Sequence, residues 1–224
     1  MSIPTPPEAV QPTAEVVIAV RGGRAAKSRC ADRLGPAQRE RLVEAMLGDM
    51  LAALAETACL HVTTPTPALA KLAARSGAAV ISEQTLGLNE AFAVARRTVA
   101  QAAPGRIVVF LPGDLPLIRP ADLDALVQAA GKGRVVLAPS ADGGTGAVAV
   151  SADVDFPFEF GPDSFRRHRE AVRGLGLDLH VVEARGVGFD VDQPADLDTV
   201  LSIAPASRTA GLLRTFELLP ETGA

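Results

Sequence analysis

The chain of 224 residues contains no tryptophan and no tyrosine. Without them it lacks the aromatic platforms that stack bases or sugars. Positive charge is not in excess either, with 22 Lys and Arg against 26 Asp and Glu and a formal net charge of −4. A nucleic-acid footprint needs a basic stripe, so that class of partner is excluded. No apolar run approaches the roughly 18 residues that a membrane-spanning helix needs, so no membrane association is expected. Cys30 and Cys59 are the only cysteines, too few for a disulfide framework and suited to a reducing compartment. The opening MSIPTPPEAVQPT has no basic region followed by an apolar one, so it is not read as a signal peptide. Its prolines at 4, 6, 7 and 12 suggest an extended tail over residues 1–14. A cytoplasmic location is expected.

What the sequence does have is 48% hydrophobic residues with only 4% aromatic ones, enough for a large aliphatic core. Short apolar segments recur along it: EVVIAV at 15–20, a strand around His61–Thr63, another near Ala78–Ile81, RIVVFL at 106–111 and Arg134–Ala138. Between them lie stretches with helical period, such as Leu42, Met46, Met50 and Leu54 behind Pro36. Strands alternating with helices predict βαβ units, hence a single doubly wound α/β domain with a mostly parallel, buried sheet. Its expected extent is 15–204, followed by a C-terminal helix and tail over 205–224. Further strands are predicted at 143–150, 177–183 and 188–191, a loop and helix at 156–173, and a helix opened by Pro194. The repeated Pro-Ala-Asp-Leu-Asp at 120 and 194 is read as capping chemistry rather than duplication.

Ligands of open α/β sheets sit beyond the carboxyl ends of the strands, and every unusual loop lies at such an end. After the first strand comes Arg21-Gly22-Gly23-Arg24-Ala25-Ala26-Lys27-Ser28-Arg29. Adjacent glycines and four cations suit phosphate. The loop is not a P-loop, because Arg21 and Ala26 stand where that motif requires glycine. It has no Gly-x-Gly spacing either, so a solvated connector stays open as the alternative. After RIVVFL comes Gly113-Asp114-Leu115-Pro116-Leu117, with Asp114 six residues before Pro120, too far to cap the next helix. Such a carboxylate could hold a magnesium ion that bridges nucleotide phosphates. Asp190 and Asp192, two apart in a predicted strand, would share a face and repel unless a cation lies between them. Asp192 could instead complement the dipole of the following helix. Asn89 is read first as a helix N-cap. Two more glycine loops, 142–146 and 160–164, carry hydroxyls, and the second opens a helix suited to a small anion. His168 is read as a surface residue, and His61 and His180 as structural.

Taken together, IAVRGGRAAKSRC, RLVEAMLGDML, GLNEA, LPGDLPLI, FGPDSFRRH and FDVDQPADL resemble segments of the 2-phospho-L-lactate guanylyltransferase family of coenzyme F420 biosynthesis. Its fold is the nucleotidyltransferase fold shared with molybdopterin guanylyl- and cytidylyltransferases. The resemblance runs from about Val16 to Leu201. It implies a small-molecule enzyme that joins GTP to a phospho-acid and releases pyrophosphate. It also implies roles: Lys27 and Arg29 neutralise the triphosphate, with Arg21, Gly87 and Asn89 beside the nucleotide. Asp114 with Asp190 or Asp192 would hold Mg²⁺, and Thr145, Gly161 and Ser164 would receive the acid. The acceptors implied are 2-phospho-L-lactate, phosphoenolpyruvate and 3-phospho-D-glycerate. The chain departs at DGGTGAV (142–148), which lacks the family's Asn. A Gly146 without a side chain suggests a roomier pocket and a lean towards 3-phospho-D-glycerate. The resemblance is compatible with a homodimer. Two rivals remain at this stage: a molybdopterin or sugar-phosphate nucleotidyltransferase, whose usual Gly-x-Gly opening is missing, and an inactive nucleotide-binding module.

Overall fold

The structure is a computed structural model that describes residues 14–82 and 87–216. The predicted tail at 1–14 falls, but for Ala14, outside the described residues, as does the end of the chain beyond Phe216. The strands are β1 (Glu15–Ala19), β2 (Cys59–Thr64), β3 (Ala79–Ser82), β4 (Ile107–Pro112), β5 (Arg134–Pro139), β6 (Thr145–Ser151) and β7 (Asp178–Val181). The helices are α1 (Pro36–Leu54), α2 (Pro67–Arg75), α3 (Leu88–Ala102), α4 (Pro120–Ala129), α5 (Ser164–Gly174), α6 (Pro194–Ile203) and α7 (Arg208–Thr215). They surround one seven-stranded sheet of order β3-β2-β1-β4-β6-β5-β7.

Strand residues alternate between two cores, as the period of two requires. Val16, Ile18, Val109 and Leu111 face α1, α2, α4, α6 and α7, whereas Val17, Ala19, Val108 and Phe110 face α3 and α5. Because both faces are covered, the strands read as continuous apolar runs. Six of the eight phenylalanines gather on the α3–α5 side, five of them buried and Phe165 at the margin. Phe156, Phe158 and Phe160 alternate along an FPFEF segment; Phe158 and Phe160 pack on Phe92 of α3 and Phe158 on Phe110 of β4 at ring-centroid distances of 4.6–5.4 Å, and Phe156 packs on Phe158 at 5.5 Å. Such pairs add about 0.5–1.5 kcal/mol each beyond their buried area. They anchor the segment that leads into α5.

The helix starts follow their local sequence. Gln38 Oε1 accepts from the Gly35 N–H at 2.7 Å ahead of Pro36. Asp122 and Asp196, third in each Pro-Ala-Asp-Leu-Asp, accept from the backbone N–H groups of Arg119 and Gln193 at 2.9 and 2.6 Å. The repeat is therefore capping chemistry. At the C-terminal side, Asp49 of α1 accepts from the Arg208 and Thr209 N–H groups at 2.8 and 2.9 Å, which fastens α7 to α1.

The sheet is mostly parallel as expected, and β6 alone runs antiparallel, to both β4 and β5. One expectation changes. Segment 188–191 is not a strand: Gly188 N–H turns back to Ala184 O at 2.8 Å, and the remaining bonds join two separate loops, from Ala141 N–H to Gly188 O and from Val191 N–H to Asp114 O, each 3.1 Å. The reversal of β6 matters for function. It puts the beginning of that strand, Thr145, at the sheet edge where the parallel strands end.

Candidate active site

The strand order reverses beside β1: β2 and β3 extend the sheet on one side, and β4 returns to the other. This is the switch point at which open α/β sheets bind ligands. The loops after β1 and β4 meet there. Gly113 donates to the Ala19 carbonyl at 2.9 Å, and a Cβ at position 113 would come within 2.4 Å of the Val20 Cβ. Only glycine lets the two strand ends close up in this way.

The basic loop after β1 is not a loose connector. Gly22 N–H donates to Thr66 Oγ1 at 3.1 Å. The buried guanidinium of Arg39, on α1, donates to the carbonyls of Arg24 (2.8 Å), Ala26 (3.0 Å) and Leu34 (2.7 Å). Held on both sides, Lys27 adopts the left-handed region with φ +49°. The only other non-glycine residue in that region among those described is Asp163, on the opposite wall. Non-glycine residues held so cost about 1–3 kcal/mol each and tend to cluster at functional sites.

The Lys27 ammonium donates to Asp114 Oδ2 and lies 4.0 Å from Asp192 Oδ1. Burial alone would push its pKa down, but the charge of Asp114, its hydrogen bond, and then Asp192 and Asp190 outweigh burial and raise it. Lys27 is therefore charged at any physiological pH. Arg29 pairs with the other oxygen of Asp192. Capping of α6 falls to Asp196 rather than Asp192, since the Asp192 and Gln193 N–H groups both donate to Asp196 Oδ2. The Asp192 carboxylate is thus left to the cations.

Two chambers open on this cluster. One, of 390 Å³, lies between the β1 and β2 ends and the start of α3, lined by Arg21, Lys27, Thr63, Gly87 and Asp192 among others. The second, of 430 Å³, lies between β6 and α5, lined by Asp142, Thr145, Gly161, Ser164 and Asp190 among others. Both are within the range of small-molecule sites, roughly 300–1,000 Å³. Arg29, Leu88, Pro112 and Asp114 line both, so the chambers meet at Asp114.

The acidic residues here fit a divalent cation. Asp114 Oδ1 is buried with no partner, while its Oδ2 serves Lys27. Asp190 is pushed up to about 6 by burial and then by the charge of Asp114, which leaves two carboxylates competing for one negative charge. Among the described residues no three His, Cys, Asp or Glu side chains form a ready-made metal cage. Mg²⁺ commonly takes only one or two carboxylates and completes its shell with water and substrate phosphate. With no strand at 188–191, Asp190 and Asp192 do not share a strand face; Asp190 lines the second chamber and Asp192 the first.

The wall of the second chamber is firm. Gly161 sits at φ +123°, out of reach of other residues. Ser164 opens α5 and is buried. His168 corrects its sequence reading: it is fully buried, accepts from the Glu159 N–H at 2.8 Å and meets Thr145 Oγ1 at 2.9 Å. Burial, and then the charge of Arg167, lowers its pKa to about 4. The unfolded chain binds this proton below about pH 6.5, the folded one only below about 4. The ring's contribution is therefore intact above pH 6.5 and lost as the pH falls towards 4. Between pH 7 and 4.5 the wild type should lose about 2 kcal/mol more unfolding free energy than His168→Phe. Urea titrations at the two pH values would measure it, and equal losses would mean that the ring is not held neutral.

Sequence reasoning thus placed Arg21, Lys27, Arg29, Gly87, Asp114, Thr145, Gly161, Ser164, Asp190 and Asp192 around one cleft, and the structure brings them together. Asn89 differs. Gly87 is the N-cap of α3, and both ends of the Asn89 amide are taken by the main chain of Phe160 at 3.2 and 2.7 Å. Its edge is spent on tying α3 to the acceptor-side wall rather than left for a base. Gly146 differs too, because a Cβ there would meet the Val187 carbonyl oxygen at 1.9 Å. The space beside it is filled by main chain, and no roomier pocket results. Sequence reading missed His168 and Arg39. Buried Ser164, His168 and Val172 stand four residues apart on α5, a stripe that was legible but masked by the neighbouring arginines.

Against known proteins, residues 14–221 match the model of a family described as "Guanylyl transferase CofC like". A 3-phospho-D-glycerate guanylyltransferase of Phenylobacterium zucineum is 45% identical over 207 residues, covering 89% of this chain and 95% of that one. A phosphoenolpyruvate guanylyltransferase of Sphaerobacter thermophilus is 34% identical, with 88% and 97% covered. Among solved structures, a protein of Desulfovibrio desulfuricans assigned as a nucleotide-diphospho-sugar transferase superposes with a TM-score of 0.72 at 21% identity, covering 91% of this chain and 95% of that one. A cytidylyltransferase of Leptospira borgpetersenii superposes with a TM-score of 0.59 at 16% identity, covering 91% and 93%. These likenesses bear on the fold, and the sequence relatives on the family. The chain belongs to the CofC-like guanylyltransferase family, and it is a nucleotidyltransferase.

Proposed function

We propose that the protein transfers the guanylyl group of GTP to the phosphate of a three-carbon phospho-acid, with 3-phospho-D-glycerate as the preferred acceptor. A phosphate oxygen of the acid attacks the α-phosphorus of GTP, the bond from that phosphorus to the α–β bridging oxygen breaks, and pyrophosphate leaves. The observation that carries this reading is the pair of chambers meeting at Asp114, which suits two substrates that react with each other. No general base is needed, because the attacking phosphate is already ionised and positioning and charge neutralisation do the work.

Lys27 and Arg29, with Arg21 and Gly87 on the chamber wall, bind the triphosphate. Thr145, Gly161 and Ser164 bind the acid. A magnesium ion held by Asp114 with Asp190 or Asp192 supplies further positive charge at the phosphates when bound. The choice of 3-phospho-D-glycerate draws support from the Phenylobacterium relative's name and not from pocket size, since Val187 fills the space beside Gly146. The product would be a guanosine diphospho-linked acid of the kind used in coenzyme F420 biosynthesis.

The test is pyrophosphate release from GTP and Mg²⁺ with each of the three acids. Release with 3-phospho-D-glycerate should be fastest, and should stop with a chelator and return with added Mg²⁺. Release with none of the acids would overturn the reading, and a tenfold or greater kcat/KM advantage for 2-phospho-L-lactate would overturn the acceptor, about 1.4 kcal/mol in the wrong direction. Ser164→Ala should raise KM for the acid and leave that for GTP unchanged, because it removes binding on one side only. A rise in KM for GTP alone would move the acceptor site elsewhere.

A further inference from the structure

We propose that His168 is a positioning residue that compels the Thr145 hydroxyl to donate its hydrogen bond into the second chamber, making Thr145 a fixed donor to an anionic oxygen of the acid. This deepens the functional reading above and rests on it. The backbone N–H of Glu159 lies 2.8 Å from His168 Nε2. A backbone N–H can only donate, so Nε2 is the acceptor and carries no proton. A neutral imidazole then bears its hydrogen on Nδ1. Nδ1 faces Thr145 Oγ1 at 2.9 Å, so the ring donates and the hydroxyl accepts. The ring cannot turn over to escape this, because carbon would then face both partners. Phe156 and Phe160 also hold it, with centroids 5.7 and 4.9 Å away.

Having accepted from His168, Thr145 keeps one hydrogen to donate. Among the described residues no carbonyl or carboxylate takes it, and Thr145 lines the chamber. The chamber also holds the carboxylates of Asp114, Asp142, Asp163 and Asp190, against the one guanidinium of Arg29. An acid entering such a space needs neutral donors whose hydrogens are already aimed at it. A freely rotating hydroxyl could offer a lone pair instead, which would repel an anion. With Nδ1 donating, the hydroxyl cannot spend its hydrogen on the ring, and that hydrogen stays available to the acid. The low pKa of His168, about 4, keeps the ring neutral at neutral pH, and the Glu159 N–H sets the tautomer.

The experiment is a double-mutant cycle with Thr145→Val and His168→Phe, plus Thr145→Ser, read as KM and kcat for 3-phospho-D-glycerate and KM for GTP. Losing a hydrogen bond to a charged group should raise the acid KM about 10- to 100-fold in Thr145→Val. Thr145→Ser should stay within about threefold of wild type, since the donor survives. His168→Phe should raise the acid KM about three- to tenfold in the wild type but add less than about twofold to Thr145→Val, because His168 acts only through Thr145. KM for GTP should hold within about twofold throughout. Effects that simply multiply, or a parallel rise in KM for GTP, would overturn the positioning role. If His168→Phe does not fold, the valine and serine variants decide: equal acid KM for both would remove the donor. A wild type that uses none of the three acids would overturn the functional reading itself, and this inference with it.

Discussion

Asp114→Asn is expected to lower turnover by about 10³-fold while leaving the protein folded. Asp114 follows the central strand β4, and only one of its oxygens is committed to a cation of the protein. Oδ2 receives Lys27, and Oδ1 is buried without a partner at the junction of the two chambers. The amide keeps the shape but removes the negative charge and offers N–H to a place that wants a cation. Lys27 would be left with Asp192 at 4.0 Å as its nearest carboxylate. Because the residue stands on a loop at the sheet's edge, the melting temperature should move by less than about 5 °C. Pyrophosphate release at saturating GTP, acid and Mg²⁺ is the measurement. Near-normal turnover at ordinary Mg²⁺ would take Asp114 out of the metal site.

Lys27→Ala should cost about 10²–10³-fold in rate, the usual loss for one preorganised charge aimed at a transition state. The cationic side chain is held by two carboxylates before any nucleotide arrives, and those same carboxylates keep it protonated. A companion variant separates chemistry from folding. Lys27→Gly removes the charge equally but relieves the left-handed backbone at φ +49°, so it should be as slow as the alanine variant and at least as stable. The rise of the GTP KM with salt, expected for a basic loop facing phosphates, should flatten in both. A Lys27→Ala enzyme within a factor of about two of wild type would return the loop to the status of a connector.

Much of this was legible in the chain, and the reason is local. EVVIA and IVVFLP are buried on both faces, so their apolar runs declare parallel strands without any knowledge of their neighbours. Pro at the first turn with Asp two residues on declares α4 and α6, because capping involves only adjacent residues. The strand-end loops are where α/β sheets bind ligands, so Lys27 and Asp114 could be named before their 87-residue separation was closed.

What failed depended on partners far along the chain. Asn89 looks like a cap from its neighbours, but its amide is claimed by Phe160, 71 residues away. Gly146 looks like an opening, but the Val187 carbonyl occupies the space. His168 sits among arginines and looks exposed, yet the helix face it shares with Ser164 and Val172 turns it inward to Thr145. The sequence by itself determined the α/β class, the strand-end loops and the charge they carry, since each follows from the periodicity and composition of a short segment. Only the tertiary structure decided that β6 runs backwards, so that Thr145 joins the ligand face, and that Arg39, Asn89 and His168 hold the site's walls. Buried hydrogen bonds are satisfied by whichever group the packing brings near, and nothing in a segment's own residues names that group.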